Sequence, residues 1–218
     1  MNWSFSVHKL IGLAILVPVL LVSMMAHELA HGLVAYRLGD PTAKRAGRLS
    51  LNPLKHLDPL GTAMFFITYI LSTTMGGLVF GWAKPVPVSP YYFKNRQRGM
   101  ALVGLAGPVT NFILAVLFVL ILNALHPDSS GTVFTVFFMV FQVNLVLGIF
   151  NLIPVPPLDG SRVLGAFLPR TAYEKWAALD QFGMIFAIIV LVVLLYTGIL
   201  GWAVQGLARA FLTNYQIV

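Results

Sequence analysis

Residues 8–36 read HKLIGLAILVPVLLVSMMAHELAHGLVAY, and the fold turns on this stretch. From Leu10 to Ala26 no charge interrupts an apolar run. Three ionisable side chains, His27, Glu28 and His31, then follow within five positions. A bilayer core needs about 20 residues of helix, so the stretch is long enough to span one. It is too long for a signal-peptide core and lacks a small-residue cleavage site, so it reads as a retained helix. Ionisable groups inside a membrane helix are costly unless paired, and they mark function by default.

The rest of the chain agrees with a lipid solvent. Of 218 residues 58% are hydrophobic and 10% charged, whereas a soluble domain carries about 25% charged residues. Four further stretches, 60–83, 100–125, 132–157 and 181–207, contain no Asp, Glu, Lys, Arg or His. An ordinary soluble enzyme is excluded. The net charge of +7 does not indicate nucleic acid, because the basic residues sit between apolar runs, as loop positives do when they set orientation. With no cysteine, disulfides, thiolate metal sites and cysteine nucleophiles are absent.

Orientation follows from the loops. Connections 37–59 (Arg37, Lys44, Arg45, Arg48, Lys55) and 84–99 (Lys84, Lys94, Arg96, Arg98) are both basic, so both belong in the cytoplasm. The run 60–83 between them must then enter and leave by one face, and Gly76-Gly77 and Gly81 suit such a re-entrant element. The expected architecture is all-α and polytopic: four to five membrane helices, with spans at about 8–36, 100–125, 132–157 and 181–207. A re-entrant 60–83, an extended Pro-rich loop 84–99 and short β segments, one at Ala46 to Leu51, complete a single domain over 1–218. The N-terminus lies outside, 37–99 inside, 126–131 outside, 158–180 inside and the C-terminus outside.

His27-Glu28-Leu29-Ala30-His31 is an H-E-x-x-H pattern. Positions i and i+4 share a helix face, so both imidazoles can reach one metal ion, and Glu28 stands beside them to take a proton from water. His31 precedes Arg37 by six residues and His27 by ten, which sets the pair about 9–15 Å below the cytoplasmic boundary at 1.5 Å per residue. A catalytic zinc takes three protein ligands. The remaining candidates are His8, Asp40, His56, Asp58, His126, Asp128, Asp159, Glu174 and Asp180. His126 and Asp128 are at the wrong end, and His56 and Asp58 read as solvated or capping residues. Asp159 stands out: it follows Asn151-Leu152-Ile153-Pro154-Val155-Pro156-Pro157-Leu158, where prolines break a span at the level of the histidines.

His27–His31, Gly107-Pro108-Val109-Thr110-Asn111, the stretch from Asn151 to Asp159-Gly160 and Trp82-Ala83-Lys84-Pro85-Val86-Pro87-Val88 resemble the motifs of the site-2 protease family of intramembrane metalloproteases. The resemblance is closest to its compact members, without a PDZ or CBS module. It implies one Zn2+ per chain held by His27, His31 and Asp159, Glu28 as general base and Asn151 close to the metal. It also implies a transmembrane protein as substrate, in a prokaryotic plasma membrane with the site toward the cytoplasm.

Other residues read as follows. The amide of Asn151 could donate to the scissile carbonyl oxygen, with helix–helix hydrogen bonding as its competitor. Asn111 reads as support behind the site or as packing beside Gly107, and joins Val86 and Val88 as candidate substrate-side residues. The segment 84–90 could pair with an unwound substrate by strand addition, although its prolines remove donors. Gln142 and Asn144 read as interhelical hydrogen-bonding groups. The competing functions are a metal-dependent membrane enzyme acting on lipid, a metal transporter, and a scaffold without metal.

Overall fold

A computed structural model describes residues 3–75 and 79–212. Its helices are α1 (Trp3–Arg37), α2 (Thr42–Arg45), α3 (Pro59–Met75), α4 (Arg96–Leu125), α5 (Thr132–Asn151), α6 (Asp159–Gly165), α7 (Arg170–Ala178), α8 (Gly183–Thr197) and α9 (Ile199–Phe211). Three helices among the described residues are long and apolar enough to cross a bilayer: Ile11–Arg37 within α1, then α4 and α5. Gly76-Gly77 and the side chain of His8 lie outside what is described.

The centre of the fold is α4, which packs against α1, α5 and α6. Lipid gives helices no hydrophobic reason to associate, so close packing over small residues and interhelical polar bonds must hold them together. Both are present in α4. Asn95 caps its start, the side-chain Oδ1 accepting from Arg98 N–H at 3.1 Å. The half nearer the basic connections carries Gly99, Gly104 and Gly107, all buried. The other half places Ala115, Val119 and Leu122 against Phe141 and Leu145 of α5 and Val204 and Ala208 of α9.

Helix α5 stops at Asn151 rather than running to 157, because Pro154, Pro156 and Pro157 cannot continue a helix. The chain then turns back and starts α6 with Asp159. Gly160 is required there, because a Cβ at this position would run into the Leu152 carbonyl oxygen. Two bonds pin α6 from outside. Trp176 Nε1 donates to the Ser161 carbonyl at 2.9 Å, and the Gln97 amide donates to the Gly165 carbonyl at 3.3 Å.

Two further expectations change. The stretch expected as one span over 181–207 is divided: α8 ends at Thr197, Gly198 takes φ +67°, and α9 begins at Ile199. A left-handed residue ends the helix there, and hydropathy alone does not register it. In addition, the segment from Arg170 to Phe182 meets Ile185–Leu194 at 83°. The short strand expected at Ala46 to Leu51 is irregular, turned by Gly47 at φ +65°. Among the described residues, the β pairing is a single bridge between Leu57 and Ala83.

That bridge has a consequence for the segment 59–83. Asp58 Oδ1 caps α3 by accepting from Gly61 N–H at 2.8 Å. Residues 79–83 then come back along the helix, with Phe80 N–H donating to Thr68 Oγ1 at 2.9 Å and the Thr68 hydroxyl donating to the Phe80 carbonyl at 3.0 Å. Leu57 therefore sits beside Ala83, and Lys84 N–H donates to the His56 carbonyl at 2.9 Å. The segment leaves and returns at one place. Gly61 permits the closure, since a Cβ there would run into the Trp82 carbonyl oxygen.

Candidate metal centre

Helix α1 presents His27 and His31 on one face, four residues apart, with ring centroids at 4.6 Å. The loop after α5 delivers Asp159 to the same point. His27 Nε2 and His31 Nε2 are 3.0 Å apart, and each is 3.1 Å from Asp159 Oδ2. All three residues are buried.

The other ring nitrogens determine what these atoms are. His27 Nδ1 bonds Asn111 Oδ1 at 2.5 Å and His31 Nδ1 bonds the Val103 carbonyl at 2.7 Å. Both oxygens can only accept, so both Nδ1 atoms carry a proton, and in the neutral imidazoles that a metal requires both Nε2 atoms are lone pairs. Two lone pairs and a carboxylate oxygen therefore converge in a buried space. Such a cluster repels itself unless a cation joins it. Tetrahedral zinc with bonds of about 2.0–2.1 Å sets its ligand atoms about 3.3 Å apart, close to the triangle found here. The donor set fits a divalent metal.

The imidazole orientations are held from two further helices. Asn111 is fully buried in α4, and its Nδ2 donates to Asn144 Oδ1 of α5 at 2.8 Å. Asn144 Nδ2 in turn donates to Ser23 Oγ at 2.9 Å and to the Val140 carbonyl at 2.8 Å. The Val140 carbonyl sets every direction in this chain of bonds. It can only accept, so Asn144 turns its nitrogen there, its oxygen receives Asn111, and Asn111 Oδ1 is left for His27. Ser23 lies one turn before His27 on α1, so the chain closes on the helix it supports. Partners of this kind fix tautomer and ring plane. Asn144 is the interhelical group its sequence context suggests, and its bonds also end at the imidazole.

Glycines set how close α4 can come. A Cβ on Gly107 would sit 2.5 Å from His31 Nε2 and His27 Cε1. One on Gly104 would sit 2.9 Å from the Asp159 carbonyl oxygen. The motif containing Gly107 is visible in the sequence, but not that the missing side chain makes room for both imidazoles.

Comparison with known proteins gives the family. The model for "Peptidase family M50" matches residues 126–196. A Bacillus subtilis protein named "Putative zinc metalloprotease YwhC" is 41% identical over 184 residues, covering 81% of this chain and 80% of its own. The chain belongs to peptidase family M50, the site-2 protease family. A Mycolicibacterium smegmatis relative named "Putative zinc metalloprotease Rip2" is 30% identical over 177 residues, covering 79% of this chain and 64% of its own. "Zinc metalloprotease MJ0392" of Methanocaldococcus jannaschii is 27% identical over 157 residues, 72% of this chain and 35% of its own. No solved structure matches the chain. Family membership and the three apolar helices together make it an integral membrane protein.

In this M50 chain the other expected residues lie as follows. Glu28 Oε2 accepts from Val86 N–H at 2.8 Å. Val86 is buried and Val88 packs on Ala35, Phe93 and Val103. Asn151 Nδ2 donates to the Leu147 carbonyl of its own helix at 3.0 Å. His56 is not solvated as expected: it is 2% exposed, and its Nε2 bonds the Ser50 carbonyl at 3.0 Å. Asp40 is fully buried and accepts from Thr42 N–H at 2.9 Å and Ser89 N–H at 2.6 Å.

A cavity of about 480 Å³ opens along α1. Val17, Leu21 and Met24 form its wall on that helix, and Phe65, Trp82 and Phe150 stand across it. Glu28 follows Met24 by one helical turn, which puts it at the end of that wall.

Proposed function

We propose that this zinc metalloprotease of family M50 is an intramembrane endopeptidase that cuts peptide bonds within or near transmembrane segments of other proteins. The convergence of two Nε2 lone pairs with Asp159 Oδ2, buried between membrane helices, carries the reading. His27, His31 and Asp159 would hold the ion. Bound there, zinc supplies Lewis acidity toward a carbonyl and lowers the pKa of a water to near 7.

The chain's own groups do the rest. Glu28 takes the proton of the attacking water on its carboxylate and hands it to the leaving amine. An amide nitrogen carries two donors. Asn151 spends one on Leu147, which leaves its second N–H for the carbonyl oxygen of the bond being cut. The apolar cavity suits a hydrophobic helix, which must unwind locally because helical carbonyls are already bonded. Basic connections on both sides of 60–83 support a re-entrant element and a site facing the cytoplasm of a prokaryotic plasma membrane.

The test uses purified protein and a susceptible substrate helix in detergent or nanodiscs. Glu28→Gln should retain one zinc per chain and lose cleavage on the order of 10²–10⁴-fold. Comparable cleavage by zinc-loaded Glu28→Gln would overturn the assignment of the base.

A further inference from the structure

The segment 84–89 lies across α1, and its amides are committed inward. Lys84 N–H goes to the His56 carbonyl at 2.9 Å, Val86 N–H to Glu28 Oε2 at 2.8 Å and Ser89 N–H to Asp40 Oδ2 at 2.6 Å. Pro85, Pro87 and Pro90 have no N–H to offer. Of the seven residues 84–90, Val88 alone keeps an amide that these bonds and prolines do not account for. A strand built this way is poorly equipped to pair with a substrate backbone and well equipped to hold something beneath it.

What it holds is Glu28. Gly32 follows Glu28 by one turn on the same stripe of α1. A Cβ on Gly32 would lie 3.1 Å from Val86 Cγ1 and 2.6 Å from Leu49 Cδ2. The bare backbone at Gly32 lets Val86 settle onto the helix, and from there its amide reaches the carboxylate one turn back. Glutamate has three side-chain torsions and loses rotamer freedom only when something holds it. The flanking prolines restrict φ on both sides of Val86, so the donor is carried by a stiff segment.

We infer that the Val86 amide is a positioning group for the reaction, holding the Glu28 carboxylate in its working rotamer from the proline-flanked segment above it. This rests on the reading of Glu28 as the base. Val86→Pro deletes the donor within a run of residues that already tolerates proline, while Val86→Ala trims the side chain and keeps the donor.

Kinetics on full-length, zinc-loaded protein with a model transmembrane substrate should show kcat of Val86→Pro at least tenfold below that of Val86→Ala, with KM and zinc content similar in the two. Equal kcat values, or zinc lost in Val86→Pro alone, overturn the inference. Hydrogen exchange decides it even if Val86→Pro does not fold. The Val86 amide stands apart because Pro85 and Pro87 carry none, and its protection should persist in Glu28→Gln and fall in Glu28→Ala. Unchanged protection in Glu28→Ala overturns the inference. If Glu28→Gln still cleaves, the base reading fails. If Glu28→Gln is inactive while Val86→Pro matches Val86→Ala, the base stands and the positioning role falls.

Discussion

The metal side of the molecule and the cavity side are built by different rules. Around the metal centre, His27 and His31 are each held by a polar bond from α4, and glycines bring α4 against both imidazoles and the Asp159 backbone with no room for a Cβ. Across the cavity, the wall made by α3 and its return is apolar, and it is fastened through Thr68 with Phe80, Leu57 with Ala83 and Lys84 with His56. The contrast teaches where precision is needed. A metal site must hold its donors to within about 0.5 Å, whereas a seat for a hydrophobic helix needs shape and dryness.

The sharpest way to break this contrast is Gly107→Ala. Its methyl would enter the space of both imidazoles, and overpacking of a tight site costs about 1–3 kcal/mol even before any ligand is displaced. We expect zinc content to fall well below one per chain and cleavage with it. Metal analysis that finds a full complement in Gly107→Ala would mean that α4 is not a close wall of the site.

A smaller effect is expected one step further out. Asn111→Leu removes the acceptor for His27 Nδ1, and loss of such a partner costs about 10–100-fold in metal affinity. Asn144→Leu leaves that bond in place and removes only its support, so its loss should be smaller, though in the same direction. Competition with a zinc chelator measures both. An Asn144 variant weaker than the Asn111 variant would contradict the order of the chain of bonds.

The smallest effect belongs to the other wall. Thr68→Val removes the hydroxyl that joins α3 to Phe80, worth about 1 kcal/mol as a net hydrogen bond. Zinc affinity should be unchanged, and KM for a transmembrane substrate should rise a few-fold. A change in zinc affinity would show that the two sides are mechanically one.

Much of this is legible in the sequence for physical reasons that can be named. His27 and His31 can be placed because a helix puts i and i+4 on one face, and Asp159 because prolines end a span where the histidines lie. Asp58 reads from the sequence as a solvated or capping residue, and it is the cap of α3. The burial of His56 and Asp40 is not legible, since it depends on where the 84–89 segment lies, and basic neighbours suggest solvent instead. The division at Gly198 is hidden for a related reason: an apolar run records affinity for lipid and not backbone dihedrals. The space left by Gly107 exists only once α1 and α4 are packed together.

The central claim is that two imidazoles and the Asp159 carboxylate share one zinc. Zinc K-edge absorption on purified full-length protein, with Asp159→Ala alongside, tests it most directly. The account predicts one zinc per chain with two imidazole nitrogens at about 2.0–2.1 Å, and an oxygen ligand altered or zinc lost in Asp159→Ala. Active protein without zinc, or an identical spectrum from the variant at full occupancy, would contradict it.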